Sequence, residues 1–187
     1  FPRVHALHGR RARLEWLDDY VTTVLERDLP VLGVRMPPAR LRLLLQMLVH
    51  VHGNVLNVSD LARSLGVSVP TVANDLDVLE GIFLVRRLPP FFANVQKRLT
   101  KSPKIYVRDS GVLHHLLGIA DAEQLLRSPH RGNSFQGFMV QQLIAIDELE
   151  AAGSGYYFYR THTGAEIDLL VDRVQSIRGG REFFNRA

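Results

Sequence analysis

The stretch Ser59-Asp60-Leu61-Ala62-Arg63-Ser64-Leu65-Gly66-Val67-Ser68-Val69-Pro70-Thr71-Val72 leaves the chain few choices of fold. Ser59 can cap a short helix that runs through Leu65, and Gly66 supplies a tight turn. Ser68 can cap the next helix, with Pro70 tolerated in its first turn, where a missing N–H costs nothing. Val69, Val72, Leu76 and Leu79 then recur at i, i+3, i+7 and i+10, which predicts one buried stripe. Two short helices around a glycine turn are the core of a helix-turn-helix.

The flanks supply the remaining parts. Apolar residues at Leu14, Trp16, Leu17, Val21, Val24 and Leu25 predict an amphipathic helix from about Arg11 to Leu29, ended by Pro30 and Gly33. Pro37 and Pro38 open a second helix with Leu41, Leu44, Leu45 and Leu48 inward, and Gly53 stops it. After the helix-turn-helix come two strand-like runs, IFLVRRL and SPKIYVR. Three helices and a two-stranded ribbon predict a winged helix-turn-helix. Beyond Asp109 the pattern changes to short helices in SGVLHHLLG and DAEQLLRS. A long helix then runs from Phe135 to about Glu150, capped by Ser134. The run YYFYRTHTGAEIDLLVD reads as a hairpin with its turn near Thr163-Gly164. The expected fold class is α+β.

Several chemistries are excluded by composition. The chain has no cysteine, which removes disulfides, thiolate zinc sites and cysteine nucleophiles. No Gly-Lys pair exists, so there is no phosphate loop. Ser134 in GNSFQG misses the nucleophile-elbow spacing. On a helix, positions i and i+2 diverge by about 200°, so His50 and His52 cannot share a metal there, and adjacent His114 and His115 diverge as well. No apolar run approaches the roughly 18 residues of a membrane span, and no signal peptide is apparent. No membrane partner is expected, and the cytoplasm is the expected location. The chain begins at Phe1 rather than Met and is expected to be a piece of a longer protein.

The 187 residues carry a net charge of +4, from 23 basic and 19 acidic residues. Its distribution is more informative. Residues 81–108 hold Arg86, Arg87, Lys97, Arg98, Lys101, Lys104 and Arg108 with no acid, and every lysine of the chain lies there. Residues 69–80, the expected recognition helix, carry Asp75, Asp77 and Glu80 and no base. Phosphate affinity needs Lys and Arg, so the ribbon residues Arg86, Arg87, Lys97, Arg98, Lys101 and Lys104 are the expected DNA contacts. A solvated wing facing another domain is the alternative.

In GAEIDLLVD, strand periodicity puts Glu166 and Asp168 on one face and Ile167, Leu169 and Val171 on the other. Paired carboxylates of this kind are candidate metal ligands and candidate catalytic groups of a metal-dependent nuclease. A nuclease usually adds a third acid and a lysine, yet no lysine follows position 104. The competing expectation is the solvated outer face of a hairpin.

The run FFANVQKRLTKSPKIYVRDSGVLHHLLG resembles the C-terminal half of a large bacterial and archaeal group of AAA+ ATPases with a C-terminal domain of unknown function. YVTTVLERDLPVL, the helix-turn-helix stretch, GNSFQGFMVQQL and YYFYRTHTGAEIDLLVD agree in the same order. The resemblance implies residues 1–36 as a helical linker from an absent N-terminal AAA+ domain and residues 37–108 as the winged helix-turn-helix. It implies residues 109–187 as a partial restriction-endonuclease-like α/β unit with a terminal hairpin. ATP and Mg would belong to the absent domain, with none in this chain. Asp168 would match the aspartate of the nuclease-like hairpin, with Glu166 just before it. Two departures matter: Gln136 stands where a glutamate is common, and no Glu-x-Lys strand follows Asp172. The expectation is a non-catalytic regulatory or interaction module whose partners are the AAA+ domain, DNA, another protein or further copies of itself. An Mg-dependent nuclease or DNA-binding effector of a defence or toxin–antitoxin system is the alternative.

Overall fold

The computed structural model describes residues 4, 6–91, 102–150, 153–161 and 164–173. Helix α1 (Arg10–Thr23) continues through a π-helical turn, Val24–Asp28, into a last turn, Leu29–Val31. Pro30 sits inside that turn, and the wider π register precedes the position where proline removes a backbone N–H. Leu17, Val21, Leu25 and Leu29, each one turn apart, are buried. They pack in the same apolar cluster as the helices that follow. Within the segment expected as a linker, Leu17 to Leu29 are part of the core, because a four-residue apolar repeat must be covered by something.

Helix α2 (Pro38–His50) buries Leu41, Leu44, Leu45 and Leu48 as its spacing predicts. Helix α3 (Val58–Leu65) is capped by Asn57, whose side chain accepts from Asp60 N–H, two residues ahead of the expected Ser59. It ends on Gly66 at φ 66°. Helix α4 (Val69–Gly81) takes its cap from Ser68, which accepts from Thr71 N–H. Val72, Leu76 and Leu79 are buried, whereas Val69, at the helix's first position, is largely exposed.

Strand β1 (Val85–Leu88) pairs antiparallel with β2 (Lys104–Val107), with Val85 opposite Val107 and Leu88 opposite Lys104. Residues 53–56 add a third, short edge through Gly53 N–H to Ile105 O, Ile105 N–H to Asn54 O and Leu56 N–H to Pro103 O. Three helices closed by this ribbon form a winged helix-turn-helix.

Helix α5 (Ser110–Leu116), capped by Asp109, sends Val112 and Leu113 back into the first core. Helix α6 (Ala122–Arg127) is capped by Asp121. Helix α7 (Arg131–Glu150) begins earlier than Phe135, and Ser134 lies inside it as a buried residue rather than at its cap. A hairpin of β3 (Gly155–Arg160) and β4 (Glu166–Asp172) follows, with a register irregularity between Tyr157 and Tyr159. Thr163, the expected turn residue, lies outside the described residues.

A second apolar cluster joins the halves. Leu88 and Tyr106 of the wing pack with Val140, Ile144 and Phe158 of α7 and β3. Backbone bonds from Phe158 N–H to Pro89 O (2.9 Å) and from Phe91 N–H to Phe158 O (2.6 Å) tie β3 to the chain leaving β1. Among the described residues, no helix is long and apolar enough to cross a membrane.

Candidate functional site

The wing and the acidic hairpin meet at Lys104. Its backbone is fixed at the start of β2, opposite Leu88 and bridged to Val55, so its side chain leaves from the middle of the ribbon. Only 3% of the residue is exposed. The ammonium sits 5.5 Å from the centroid of the buried Phe158 ring. It donates to Glu166 Oε1 and, at 3.1 Å, to Asp168 Oδ1. Gln136 Nε2 of α7 donates to the same Asp168 oxygen. Arg160 Nε lies 3.8 Å from Glu166 Oε2. Two cations thus face two carboxylates, and the cluster is close to neutral.

The two acids share a face, as strand periodicity requires, and that face meets Lys104 while keeping Glu166 and Asp168 exposed, their side chains 27% and 52% open to solvent. Glu166 is opposite Arg160, and Ile167 is opposite Tyr159. Ile167 and Tyr159 are exposed as well. The acid face stays open to solvent and is at the same time engaged by the buried ammonium, while Leu169 packs on the second core past the irregular register. Tyr106 borders the cluster. Burial, then the negative charge of Asp168 and Glu166, pushes its phenol well above the usual tyrosine range.

As placed, Glu166 and Asp168 are engaged by N–H donors rather than set out as ligands of a divalent cation. A metal would need the lone pairs of Glu166 and Asp168, but Lys104 and Gln136 already direct N–H groups at those oxygens. Gln136 takes part through its donor nitrogen, the opposite of a ligand's role. Among the described residues, no group of three or more His, Asp or Glu side chains could hold a metal ion.

The expected DNA-contact residues fare unevenly. Lys104 is buried and ion-paired, which removes it from a phosphate-facing surface. Arg86 turns inward: Nε donates to Gln141 Oε1 at 3.2 Å, Nη2 lies 3.5 Å from Glu148, and the guanidinium stacks on Tyr156. Arg87 donates from Nε to Glu80 Oε2 at 2.6 Å and from Nη2 to Asp77 Oδ1 at 2.6 Å. Lys97, Arg98 and Lys101 lie outside the described residues. The same contacts revise the acidic helix. Asp77 and Glu80 are partnered by Arg87, and Asp75 is fully buried, bound by Arg40 Nε at 2.7 Å and Nη2 at 3.0 Å. The negative charge of α4 is therefore largely offset within the fold, a pairing that spacing along one helix cannot reveal.

His52 and His114 pack within the fold. His52 lies beyond the end of α2, buried against Tyr106. Its Nδ1 accepts from Val107 N–H at 3.0 Å, so Nε2 carries the proton in the neutral ring. Burial pushes its pKa down to about 4. His114 Nε2 lies 2.6 Å from Ser134 Oγ beside an apolar cavity of about 530 Å³ lined by Leu125, Leu126, Phe135 and Phe138. That pairing spans 20 residues and left no motif in the sequence.

Helix order, ribbon pairing and the neutral Lys104 cluster define a winged helix-turn-helix protein with a long helix and hairpin docked on its wing. The family described as Domain of unknown function (DUF8612) matches residues 1–123, and the chain belongs to it. A second, described as Domain of unknown function (DUF4143), matches residues 131–179. The chain is 48% identical over 157 residues to the proteins Rv2008c of Mycobacterium tuberculosis and Mb2031c of Mycobacterium bovis. The aligned part is 84% of this chain and 35% of each relative, so the chain spans about a third of their length. Among solved structures, a mutant of the MepR protein of S. aureus bound to an oligodeoxyribonucleotide superposes at TM-score 0.33 with 19% identity, covering 75% of this chain and 99% of MepR. The transcriptional regulator PA3341 superposes at 0.31 with 24% identity, covering 76% and 93%. Scores this low leave the chain's own strand pairing and helix order as the ground for the fold.

Proposed function

We propose that this chain is a non-catalytic regulatory or interaction module of a larger AAA+-type ATP-binding protein. In it, the acidic hairpin holds the wing instead of a metal. The observation that carries the reading is the buried ammonium of Lys104 bonded to both Glu166 and Asp168. Residues 109–187 would descend from a restriction-endonuclease-like unit whose acid pair now serves a structural contact. Support for the larger protein comes from the resemblance of the chain and from relatives more than twice its length. DNA contact, where it occurs, would fall to Lys97, Arg98 and Lys101, because Arg86, Arg87 and Lys104 are engaged within the fold. The test of the non-catalytic reading is incubation with supercoiled plasmid and Mg²⁺ or Mn²⁺. No nicking is expected. Nicking that disappears in Asp168→Ala overturns the reading.

One observation favours the second reading, an Mg-dependent nuclease. Lys104 supplies, from a distant strand, the lysine that the acid pair lacks in its own part of the sequence. The same plasmid assay on Lys104→Ala separates the two. A nuclease loses its activity with the lysine, whereas a structural cluster has no activity to lose.

A further inference from the structure

Helix α7 is apolar on both faces. Val140 and Ile144 are buried in the second core. On the opposite side Phe135, Phe138, Met139, Leu143, Ile146 and Leu149 form a continuous exposed stripe, with Phe135 66%, Ile146 52% and Leu149 89% exposed. A helix apolar all round needs cover on both sides. The stripe offers on the order of 600 Å² of apolar surface, at the upper limit for a monomer and near the roughly 800 Å² that each partner of a stable dimer buries.

We propose that this stripe is the interface of a two-fold dimer, in which α7 packs antiparallel on α7 of a second copy of the chain. The register follows from charge. Arg131 opens the helix and Glu150 closes it, and both side chains are exposed. Glu150 also lies 3.5 Å from Arg173 yet keeps 64% of its side chain exposed. Antiparallel packing that sets Arg131 beside Glu150 of the second copy makes two ion pairs at the rim and opposes the helix dipoles favourably. The same register sets Phe135 against Ile146 and Phe138 against Leu143. It sets Leu149 against Gly132, which lines the 530 Å³ apolar cavity with Leu125, Leu126 and Phe135. The most exposed knob of the helix thus faces the hole beside its own first turn, and the surface is complementary to itself, as a two-fold interface must be.

Sedimentation equilibrium of the 187-residue chain should give twice the 21.2 kDa of one chain from the micromolar range upward. Leu149→Asp and Phe135→Glu should each weaken the dimer by at least about tenfold, a loss of about 1.4 kcal/mol. Arg131→Glu and Glu150→Arg should each weaken it as well, and the double exchange should restore it. The chain has no cysteine, so the pair Arg131→Cys with Glu150→Cys gives a clean readout that leaves the apolar face intact should the other variants misfold. Nineteen helical residues separate the two positions by roughly 28 Å, too far for a disulfide within one chain. Oxidation should therefore yield a covalent dimer, and Arg131→Cys alone should not. A chain that stays monomeric through the high-micromolar range overturns the proposal. So does a dimer indifferent to Leu149→Asp and Phe135→Glu, or one cross-linked by Arg131→Cys alone.

Discussion

The ammonium of Lys104 lies 3.1 Å from the carboxylate of Asp168, 64 residues further along the chain. This contact joins the ribbon of a winged helix to the hairpin of the following unit, at the acid pair that the sequence offers as candidate metal ligands. Replacing Lys104 by Met should leave Glu166 and Asp168 with the more distant Arg160 as their remaining cation. Partial exposure of both acids moderates the loss, so a cost of about 2 kcal/mol is expected. Adding Glu166→Gln and Asp168→Asn should recover most of it. Urea melts of the single and triple variants check this, and a single variant as stable as the parent would remove the cluster from the account.

Asp75 should prove a structural residue rather than a repulsive one. It is wholly buried and bound twice by Arg40, so Asp75→Ala should cost about 3 kcal/mol by stranding the guanidinium. If Asp75 repelled phosphate instead, its removal would strengthen binding to duplex DNA with little change in melting.

Stability should fall on mild acidification. His52 has its folded pKa lowered to about 4, against about 6.5 in the unfolded chain. The unfolded state therefore binds the proton first. The stabilisation is complete above about pH 6.5 and is lost progressively towards pH 4, by as much as about 3 kcal/mol. Denaturation midpoints between pH 7 and 5 isolate this effect from the carboxylates, and His52→Gln should flatten the curve.

Gly137 should not tolerate a side chain. A Cβ there would lie 2.2 Å from His52 Nε2 and 3.2 Å from the Tyr106 ring. Gly137→Ala, normally favourable inside a helix, should instead cost about 1–3 kcal/mol through forced movement of buried rings. A more stable variant in thermal melts would show that α7 can shift on the wing.

Leu76→Ala should cost about 2–5 kcal/mol, because the residue is buried in the core that α4 shares with α2. Val69→Ala should change little, since the first residue of α4 is exposed. Equal losses at the two positions in urea melts would place Val69 back on the buried face.

The helices, the ribbon and the hairpin were legible in the sequence because their signals are local. Gly66 and Ser68 set a turn and a cap within a few residues, Leu41 to Leu48 repeat at the helical period, and Glu166 and Asp168 alternate with Ile167. Local chemistry determines these features wherever the chain is placed. The partners of the charged residues were decided elsewhere. Asp75, Asp77 and Glu80 read as a repulsive helix until Arg40 and Arg87 arrive from neighbouring elements. Glu166 and Asp168 read as candidate metal ligands or a wet face, and only the fold brings Lys104 to them from another strand. Desolvation makes a buried charge depend on a counter-charge within a few ångströms, and only tertiary packing sets which distant residue stands at that distance.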